Sequence, residues 1–476
     1  MKAILVHPPA DHILRTNVPS VVDEEMGCYP PLGLMYVAAW ALAHSGHEVS
    51  ILDANAERLS QAQIEERLRR EQPDVVGIQT LTFTLLDSIE TARSAKRARP
   101  KAHVCLGGPH VYLYPEETLA IPEVDSLVLG EGEMAFTELL DALEQGGDLS
   151  VIPGVVFRRD DGSIHDGGRR PHIEDLDVLP PPARHLLPIK RYRTLLARAS
   201  PVTTMMTSRG CPYRCVFCDR PHLGKRFRAR SAGSVVAEMR AVQEMGIREI
   251  FVYDDTFSVS RQRVVEICEA IEKEKIQIGW DMRARINTMD PELLAILRRA
   301  GCIRIHYGVE SGVPEVLKTL RKEIDLDEAR AIFAETKRQG IQTLAYFILG
   351  SPGETREQMQ ATIDYARSIK ADYVHWAVMT PFPGTQLYDM GLAQGVLPGD
   401  YWREFARNPT PGFVPLLWEE TLKRDELVEM MYRAYRAFYR RPGYILRRVF
   451  EVRSWEEFRR KAKAALRLFA ATGGKR

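Results

Sequence analysis

Cys211-Pro-Tyr-Arg-Cys215-Val-Phe-Cys218 sets three thiols within eight residues, after the apolar, strand-like run 202–207. Gly210, Pro212 and Arg214 beside them predict irregular backbone rather than a packed element. Thiolates clustered this closely are metal ligands. A [4Fe–4S] cluster takes a cysteine on each of its four irons. A C-x3-C-x2-C triplet with no fourth cysteine nearby therefore leaves one iron open to another ligand. Zinc is the competing reading, with His222 as fourth ligand, although zinc sites favour C-x2-C pairs.

Working outward, strands are predicted over 202–207, 249–253, 277–282, 303–309, 343–349 and 373–378. Helices are predicted between them over 234–245, 261–273, 291–300, 325–339 and 356–369. Six strand–helix units make most of a barrel, with chemistry at the carboxyl ends of the strands. Polar residues stand at those ends: Asp254-Asp255-Thr256, Arg283, Glu310-Ser311-Gly312, Gly350-Ser-Pro-Gly-Glu-Thr355 and Pro381-Phe-Pro-Gly-Thr385. A rim ion pair is the plain alternative for each charged residue taken singly.

Before the triplet, strands over 2–7, 47–53, 74–79, 103–106 and 124–129 alternate with helices over 32–44, 61–71, 85–99, 115–120 and 134–144. This alternation predicts a doubly wound parallel sheet with ligands at the carboxyl edge. The loops there are Gln79-Thr80-Leu81-Thr82, Gly107-Gly108-Pro109-His110 and Gly130-Glu131-Gly132-Glu133. Paired glycines let a backbone approach a bulky ligand, or simply make a tight turn. The first strand has no G-x-G-x-x-G after it, which argues against a nicotinamide site. A hairpin over 152–169 and the breaker Leu179-Pro180-Pro181-Pro182 suggest a linker. The expected organisation is an α/β domain over 1–145, hairpin and linker over 146–200, a barrel over 201–400 and a helical region over 401–476.

With Phe217 between its last two cysteines, the triplet resembles the radical SAM signature C-x3-C-x-aromatic-C. The resemblance implies that S-adenosylmethionine (SAM) chelates the open iron and is cleaved by one electron to methionine and a 5′-deoxyadenosyl radical. It also implies a partial, open (β/α)6 barrel and a low-potential electron donor, flavodoxin or ferredoxin. SAM presents an ammonium, a carboxylate and ribose hydroxyls, so carboxylates must meet the first and third and a guanidinium the second. The expected contacts are Asp254 or Asp255 at the amino group and Arg283 at the carboxylate. Glu310 and Ser311, which resemble the family's Glu-Ser-Gly, fall at the ribose. Phe217 packs locally while touching adenine.

Tyr29-Pro-Pro-Leu-Gly-Leu34, Gly46-His-Glu-Val, Gly107-Gly-Pro-His110 and Gly130-Glu-Gly-Glu133 together resemble the cobalamin-binding domain fused to many radical SAM enzymes. Its expected contacts here are Thr80, Thr82, Gly107, Gly108, His110, Gly130 and Glu131. The D-x-H-x-x-G loop that carries the cobalt-ligating histidine of other cobalamin domains is missing. Cobalamin is therefore expected without a protein ligand below cobalt. His110 and His7 remain available, although a histidine beside a glycine pair ordinarily serves its loop. The lineage implied includes the anaerobic magnesium-protoporphyrin monomethyl ester cyclase and class B radical SAM methyltransferases. Methylation of an unactivated carbon of a small molecule or lipid is the expected activity. An oxidative cyclisation or other radical rearrangement is the alternative, and a non-catalytic cobalamin or iron–sulfur sensor the alternative from another class. The N-terminal region lacks the cysteine triplet of a methylthiotransferase.

Composition sets the bounds. With 65 basic and 64 acidic residues, no global charge points to nucleic acid. The remaining cysteines, at 28, 105, 268 and 302, are scattered and suit a reducing cytoplasm better than a disulfide framework. Met-Lys-Ala-Ile-Leu-Val-His has too short an apolar run for a secretory signal, and no run of about 18 apolar residues follows. A soluble or peripheral cytoplasmic protein is expected. From Arg433 onward there are 14 basic and 3 acidic residues, so net +11 sits on the last 44. That predicts either a solvated helix packed on the barrel or an amphipathic surface for an anionic membrane or acidic partner.

Overall fold

The computed structural model describes residues 1–14, 27–218 and 222–451, with a few isolated positions between 459 and 470. Of the basic tail, residues 452–458 and 471–476, with a few positions between them, lie outside the described residues.

Strands β1 (Lys2–His7), β2 (Glu48–Asp53), β3 (Val75–Gln79), β4 (His103–Gly107) and β5 (Ser126–Val128) form a parallel sheet in the order β2-β1-β3-β4-β5. Ala3-Ile4-Leu5-Val6 is apolar on both faces because both faces are covered. Ala3 and Leu5 pack with α1 (Leu32–His44) and α6 (Gly132–Gln145). Ile4 and Val6 pack with α2 (Gln61–Glu71) and α3 (Leu85–Ala98). Two short helices follow β4: α4 (Pro109–Leu113) forms where the sequence reads as a loop, and α5 (Pro115–Leu119) is the one expected over 115–120. The strand order turns back between β1 and β3, which opens a crevice at the carboxyl edge. The expected hairpin, β6 (Val155–Arg158) and β7 (Ile164–Asp166), extends this sheet antiparallel from β5 to seven strands.

The second sheet holds six parallel strands, β8 (Val202–Met205), β11 (Glu249–Val252), β12 (Gly279–Ala284), β13 (Cys302–Glu310), β14 (Gln342–Leu349) and β15 (Tyr373–Val378), in sequence order. Between β8 and β11 lie two two-residue strands, β9 (Ser208–Arg209) and β10 (Arg228–Ala229). Helices α7 (Ala232–Glu244), α8 (Arg261–Lys273), α9 (Pro291–Arg299), α10 (Leu326–Arg338) and α11 (Arg356–Ser368) cover the outside. Ser231, Ser260, Asp290, Asp325 and Thr355 cap their N-termini by accepting a backbone N–H. This is the partial barrel, with β8 and β15 as its two edges.

The C-terminal helices close what the strands leave open. Helix α12 (Tyr401–Arg407) lays Tyr401, Trp402 and Phe405 on Leu85, Ile89 and Tyr114 of the N-terminal domain. Helix α13 (Arg424–Tyr439) lies along the free edge of β15. The Tyr435 hydroxyl meets the N–H and C=O of Trp376, both at 3.2 Å, and the Tyr439 hydroxyl meets those of Val374 at 2.9 and 2.8 Å. Four helical residues rise about 6 Å and two strand residues about 6.6 Å, so the spacings match. Two arginines of the basic tail are packed on the barrel: Arg448 pairs with Asp372 at 2.7 Å, and Arg441 donates to the carbonyls of Phe438 and Arg367, both at 2.9 Å. On α14 (Pro442–Glu451), Ile445, Leu446 and Phe450 are 40, 61 and 80% exposed. Among the described residues no helix is long and apolar enough to cross a membrane.

Candidate active site

The cysteine loop begins at Gly210, whose φ of +81° and contact with the Arg226 carbonyl leave no room for a Cβ. The loop is fixed at its centre. Val216 donates its N–H to the Leu320 carbonyl at 3.2 Å and accepts from Leu387 N–H at 2.8 Å. Its side chain is buried among Val313, Leu320, Met379 and Trp418, with Phe217 packed against the same cluster. Cys211 and Cys215 are half-buried and Cys218 is exposed. The Thr256 hydroxyl is 3.7 Å from Cys211 Sγ, and Arg285 Nη1 is 3.5 Å from Cys215 Sγ while its guanidinium stacks 3.9 Å over Tyr213. The scattered cysteines differ. Burial pushes the thiols of Cys28, Cys105 and Cys268 up to about 12, which keeps them protonated and inert.

At the barrel mouth the acidic residues divide their work. Asp254 is buried and accepts from Thr207 N–H at 2.6 Å, Thr207 O–H at 2.5 Å and Ser208 O–H at 2.6 Å, so both its oxygens hold the approach to the cysteine loop. Asp255 is half-buried beside it. Arg283 donates to the Val252 carbonyl at 2.8 Å and covers the Tyr253 ring at 4.2 Å. Glu310 has the unusual φ of +72°, at a register shift between β13 and β14, and its Oε1 lies 2.9 Å from Lys322 Nζ. Ser311 faces the other way, bonding the Thr362 hydroxyl at 3.0 Å and accepting from Val313 N–H at 3.2 Å. Glu354 is fully buried and accepts from the N–H groups of Gly350 and Ser351 at 2.8 and 2.9 Å. Burial pushes its carboxyl up to about 7. Deeper in the barrel, His306 bridges Asp281 at 3.1 Å and Tyr346 at 3.0 Å, and burial pulls His375 down to about 4.

On the N-terminal sheet, Thr80 N–H donates to the Gly107 carbonyl at 2.7 Å. Gly108 has a φ of +120°, and a Cβ there would sit 2.7 Å from the Thr80 carbonyl. His110 is fully buried, with Nδ1 3.1 Å from the Thr82 hydroxyl and Nε2 meeting no partner among the described residues. Burial holds it neutral, down to about 3. His7 pairs with Asp53 at 2.9 Å, and the Tyr192 hydroxyl donates to the other Asp53 oxygen at 2.7 Å. Gly130, with a φ of +77°, turns the chain toward His222 of the cysteine loop. Glu131 points into the domain interface, where it accepts from Arg209, Arg228 and the Ile173 N–H.

Residues 205–366 match the Radical SAM superfamily and residues 20–140 the B12 binding domain. An uncharacterised methyltransferase of Pyrococcus horikoshii is 34% identical over 454 residues, covering 95% of both chains. The chain belongs to the family of radical SAM enzymes that carry a B12-binding domain. Cyclases share this family: the anaerobic magnesium-protoporphyrin IX monomethyl ester cyclase of Rubrivivax gelatinosus is 27% identical, over 94% of this chain and 78% of its own. The fold agrees with that of OxsB, a cobalamin-dependent SAM radical enzyme, at a TM-score of 0.71 and 17% identity over 98% of this chain and 72% of that one. It agrees also with TsrM, a radical SAM methyltransferase of Kitasatospora setae, at 0.67 and 20% identity over 83 and 76%.

In this radical SAM enzyme the residues fit the groups the family carries. Three thiols that packing does not consume stand on a loop fixed at Val216, with a guanidinium beside one sulfur and a hydroxyl beside another. At the B12-binding edge, a glycine that admits no side chain lies next to a buried imidazole nitrogen with no partner among the described residues, which suits a large ligand that brings its own hydrogen-bonding groups. The geometry brings Cys211 beside Thr256 and Cys215 beside Arg285, keeps Asp254 at the strand end that leads into the loop and Phe217 on the Val216 cluster, and turns Ser311 and Glu131 toward structural partners. Sequence reading missed Arg285, which strand alternation puts on the same face as Arg283. It missed Lys322, Arg209 and Arg228 as well. Tyr29, which the sequence marks only as part of a motif, enters the barrel, its ring 5.2 Å from Phe251 and 5.6 Å from Tyr253.

Proposed function

We propose that this enzyme methylates an unactivated carbon of a small-molecule or lipid substrate, with Cys211, Cys215 and Cys218 holding the [4Fe–4S] cluster. The observation that carries the reading is that the B12-binding edge and the cysteine loop meet, through Glu131 and Arg209 at 2.7 Å. The cluster supplies the electron and open iron that cleave SAM, and cobalamin, when bound, supplies a methyl carrier.

The chain's own residues bind and orient. Arg285, beside Cys215, takes the SAM carboxylate, and Asp255 takes the amino group. Asp254 is the positioning residue behind them. Glu310, neutralised by Lys322, accepts from the ribose, and Phe217 supports the adenine. Arg283 lies one inward position deeper than Arg285, with Tyr253, Tyr346 and His375, and these residues line the substrate side. Thr80, Thr82, Gly107, Gly108 and His110 would cradle cobalamin, His110 offering its buried Nε2 as a hydrogen-bonding group. Tyr401, Trp402 and Phe405 seal one side of the cleft against water.

A flavodoxin or ferredoxin is the proposed electron donor, reaching the cluster on the exposed Cys218 side. The exposed apolar residues of α14, next to the basic excess, support peripheral contact with an anionic membrane. Similarity to the cyclases keeps radical rearrangement as the second reading. SAM labelled with a trideuterated methyl, supplied to reconstituted enzyme and cell extract, separates the two. A product carrying the labelled methyl supports methylation, and a product lacking it with 5′-deoxyadenosine formed supports rearrangement.

A further inference from the structure

We propose that Glu131 is a positioning residue for the cluster loop, so that docking of the B12-binding domain closes the loop that carries the three cysteines. The inference rests on reading those cysteines as cluster ligands. Residues 210–218, with the three cysteines, leave the β9–β10 stem and residues 222–227 lead back into it; in the stem Arg209 pairs with Arg228 and Ser208 with Ala229. So short an antiparallel pair is marginal by itself. It also sets two guanidiniums opposite each other, which repel unless they are neutralised.

The neutralising groups come from the other domain. Glu131 Oε1 accepts from Arg209 Nη1 at 2.7 Å and from Arg228 Nη1 at 2.9 Å, and Glu131 Oε2 is also 2.9 Å from Arg228 Nη1. Glu133 Oε1 accepts from Arg209 Nη2 at 2.5 Å. All four side chains are nearly inaccessible, between 2 and 6% exposed. Two positive and two negative charges balance there only while the domains are docked, and removing one leaves a buried charge uncompensated. His172 and Ile173 of the linker hold the returning limb as well, and Arg228 also bonds within it. Arg228 donates to the Ile173 carbonyl at 2.6 Å and the Leu223 carbonyl at 3.1 Å, and His172 Nε2 lies 3.3 Å from the His222 carbonyl. Arg209 further stacks 5.3 Å over Tyr36 of α1. Domain docking and loop closure are thus one event.

Hydrogen–deuterium exchange on the full chain without cofactors tests this. In Glu131→Gln and Glu131→Ala, exchange across 208–229 rises at least about tenfold while peptides from α8 and α11 keep their wild-type rates. After reconstitution, the Glu131→Gln cluster gives a broadened paramagnetic resonance signal whose response to SAM is diminished. If Glu131→Ala is unfolded, as raised exchange in α8 and α11 reveals, Arg228→Lys reads the same stem, because lysine keeps the charge and loses the fork. Wild-type exchange over 208–229 in Glu131→Gln and Arg228→Lys overturns the proposal. Exchange is read without iron or SAM, so failure of the clasp and failure of the cluster assignment are distinguishable.

Discussion

Lys322 Nζ lies 2.9 Å from Glu310 Oε1, and each side chain is 8% exposed. Gly308 makes the pairing feasible, since a Cβ there would sit 2.8 Å from the ammonium and collide with the carboxylate. A buried pair is costly to break from one side, because the surviving charge is left without a partner. Lys322→Ala should therefore lower stability by about 3–5 kcal/mol and weaken SAM binding, while Lys322→Ala with Glu310→Gln should recover part of the stability. Chemical denaturation of the apo chain reads the first effect and equilibrium dialysis of SAM the second. A change below about 0.5 kcal/mol would place the pair among surface ion pairs.

Tyr435 and Tyr439 stand in for the missing neighbour of β15. An unpaired strand edge templates association with other chains. Each Tyr→Phe change removes one hydroxyl and leaves a strand N–H and C=O without it, at a cost of about 1–3 kcal/mol. The double variant should melt lower than either single one and show larger species in light scattering. Wild-type melting and size would mean that water replaces the hydroxyls without loss.

The fold was legible because its signals are local. Alternation of apolar strands with capped helices, such as Ser260 before α8 and Thr355 before α11, fixes elements before any contact is known. The triplet was legible because ligand spacing lies within one loop. Partners distant in sequence were not. Glu131 meets Arg209 across 78 positions and Arg228 across 97, and its Gly-Glu-Gly-Glu context reads equally well as a ligand loop. Asp254 and Asp255 are adjacent and chemically alike, so only the placement of Thr207 and Ser208 divides them. The basic tail is ambiguous in composition because arginine serves a packed helix and a solvated surface alike, as Arg448 on Asp372 illustrates.

Glu354 gives a pH test. Its carboxyl is raised from the ordinary 4.5 to about 7, because burial disfavours the charged form more than the two backbone N–H groups favour it. The folded state thus holds this proton more tightly than the unfolded chain. The stability it contributes is fully present below about 4.5 and is lost as pH rises through about 7. Glu354→Gln keeps an acceptor for Gly350 and Ser351 but cannot ionise. Its melting temperature relative to wild type should rise between pH 4.5 and 7 and then level off, an effect on the order of 3 kcal/mol. A difference that stays flat over this range would contradict the assignment.

Contact of α14 with anionic lipid should be electrostatic in approach and apolar in grip. Co-sedimentation with phosphatidylserine-containing vesicles should fall steeply with added salt, since screening acts beyond about 8–10 Å at physiological ionic strength. Leu446→Ser with Phe450→Ser should weaken it further at either salt concentration. Equal recovery with neutral and anionic vesicles would assign the helix to packing alone.

The central claim is that Cys211, Cys215 and Cys218 hold a cluster whose open iron cleaves SAM, and its most direct measurement is 5′-deoxyadenosine release under reductant. Anaerobically reconstituted wild-type enzyme and Cys215→Ala should be compared at matched protein concentration, with iron measured in each. Thiolate is the required ligand, so the wild type should release 5′-deoxyadenosine and methionine in step, and Cys215→Ala should hold less iron and release neither. Wild-type iron content with undiminished 5′-deoxyadenosine release in Cys215→Ala would contradict the account.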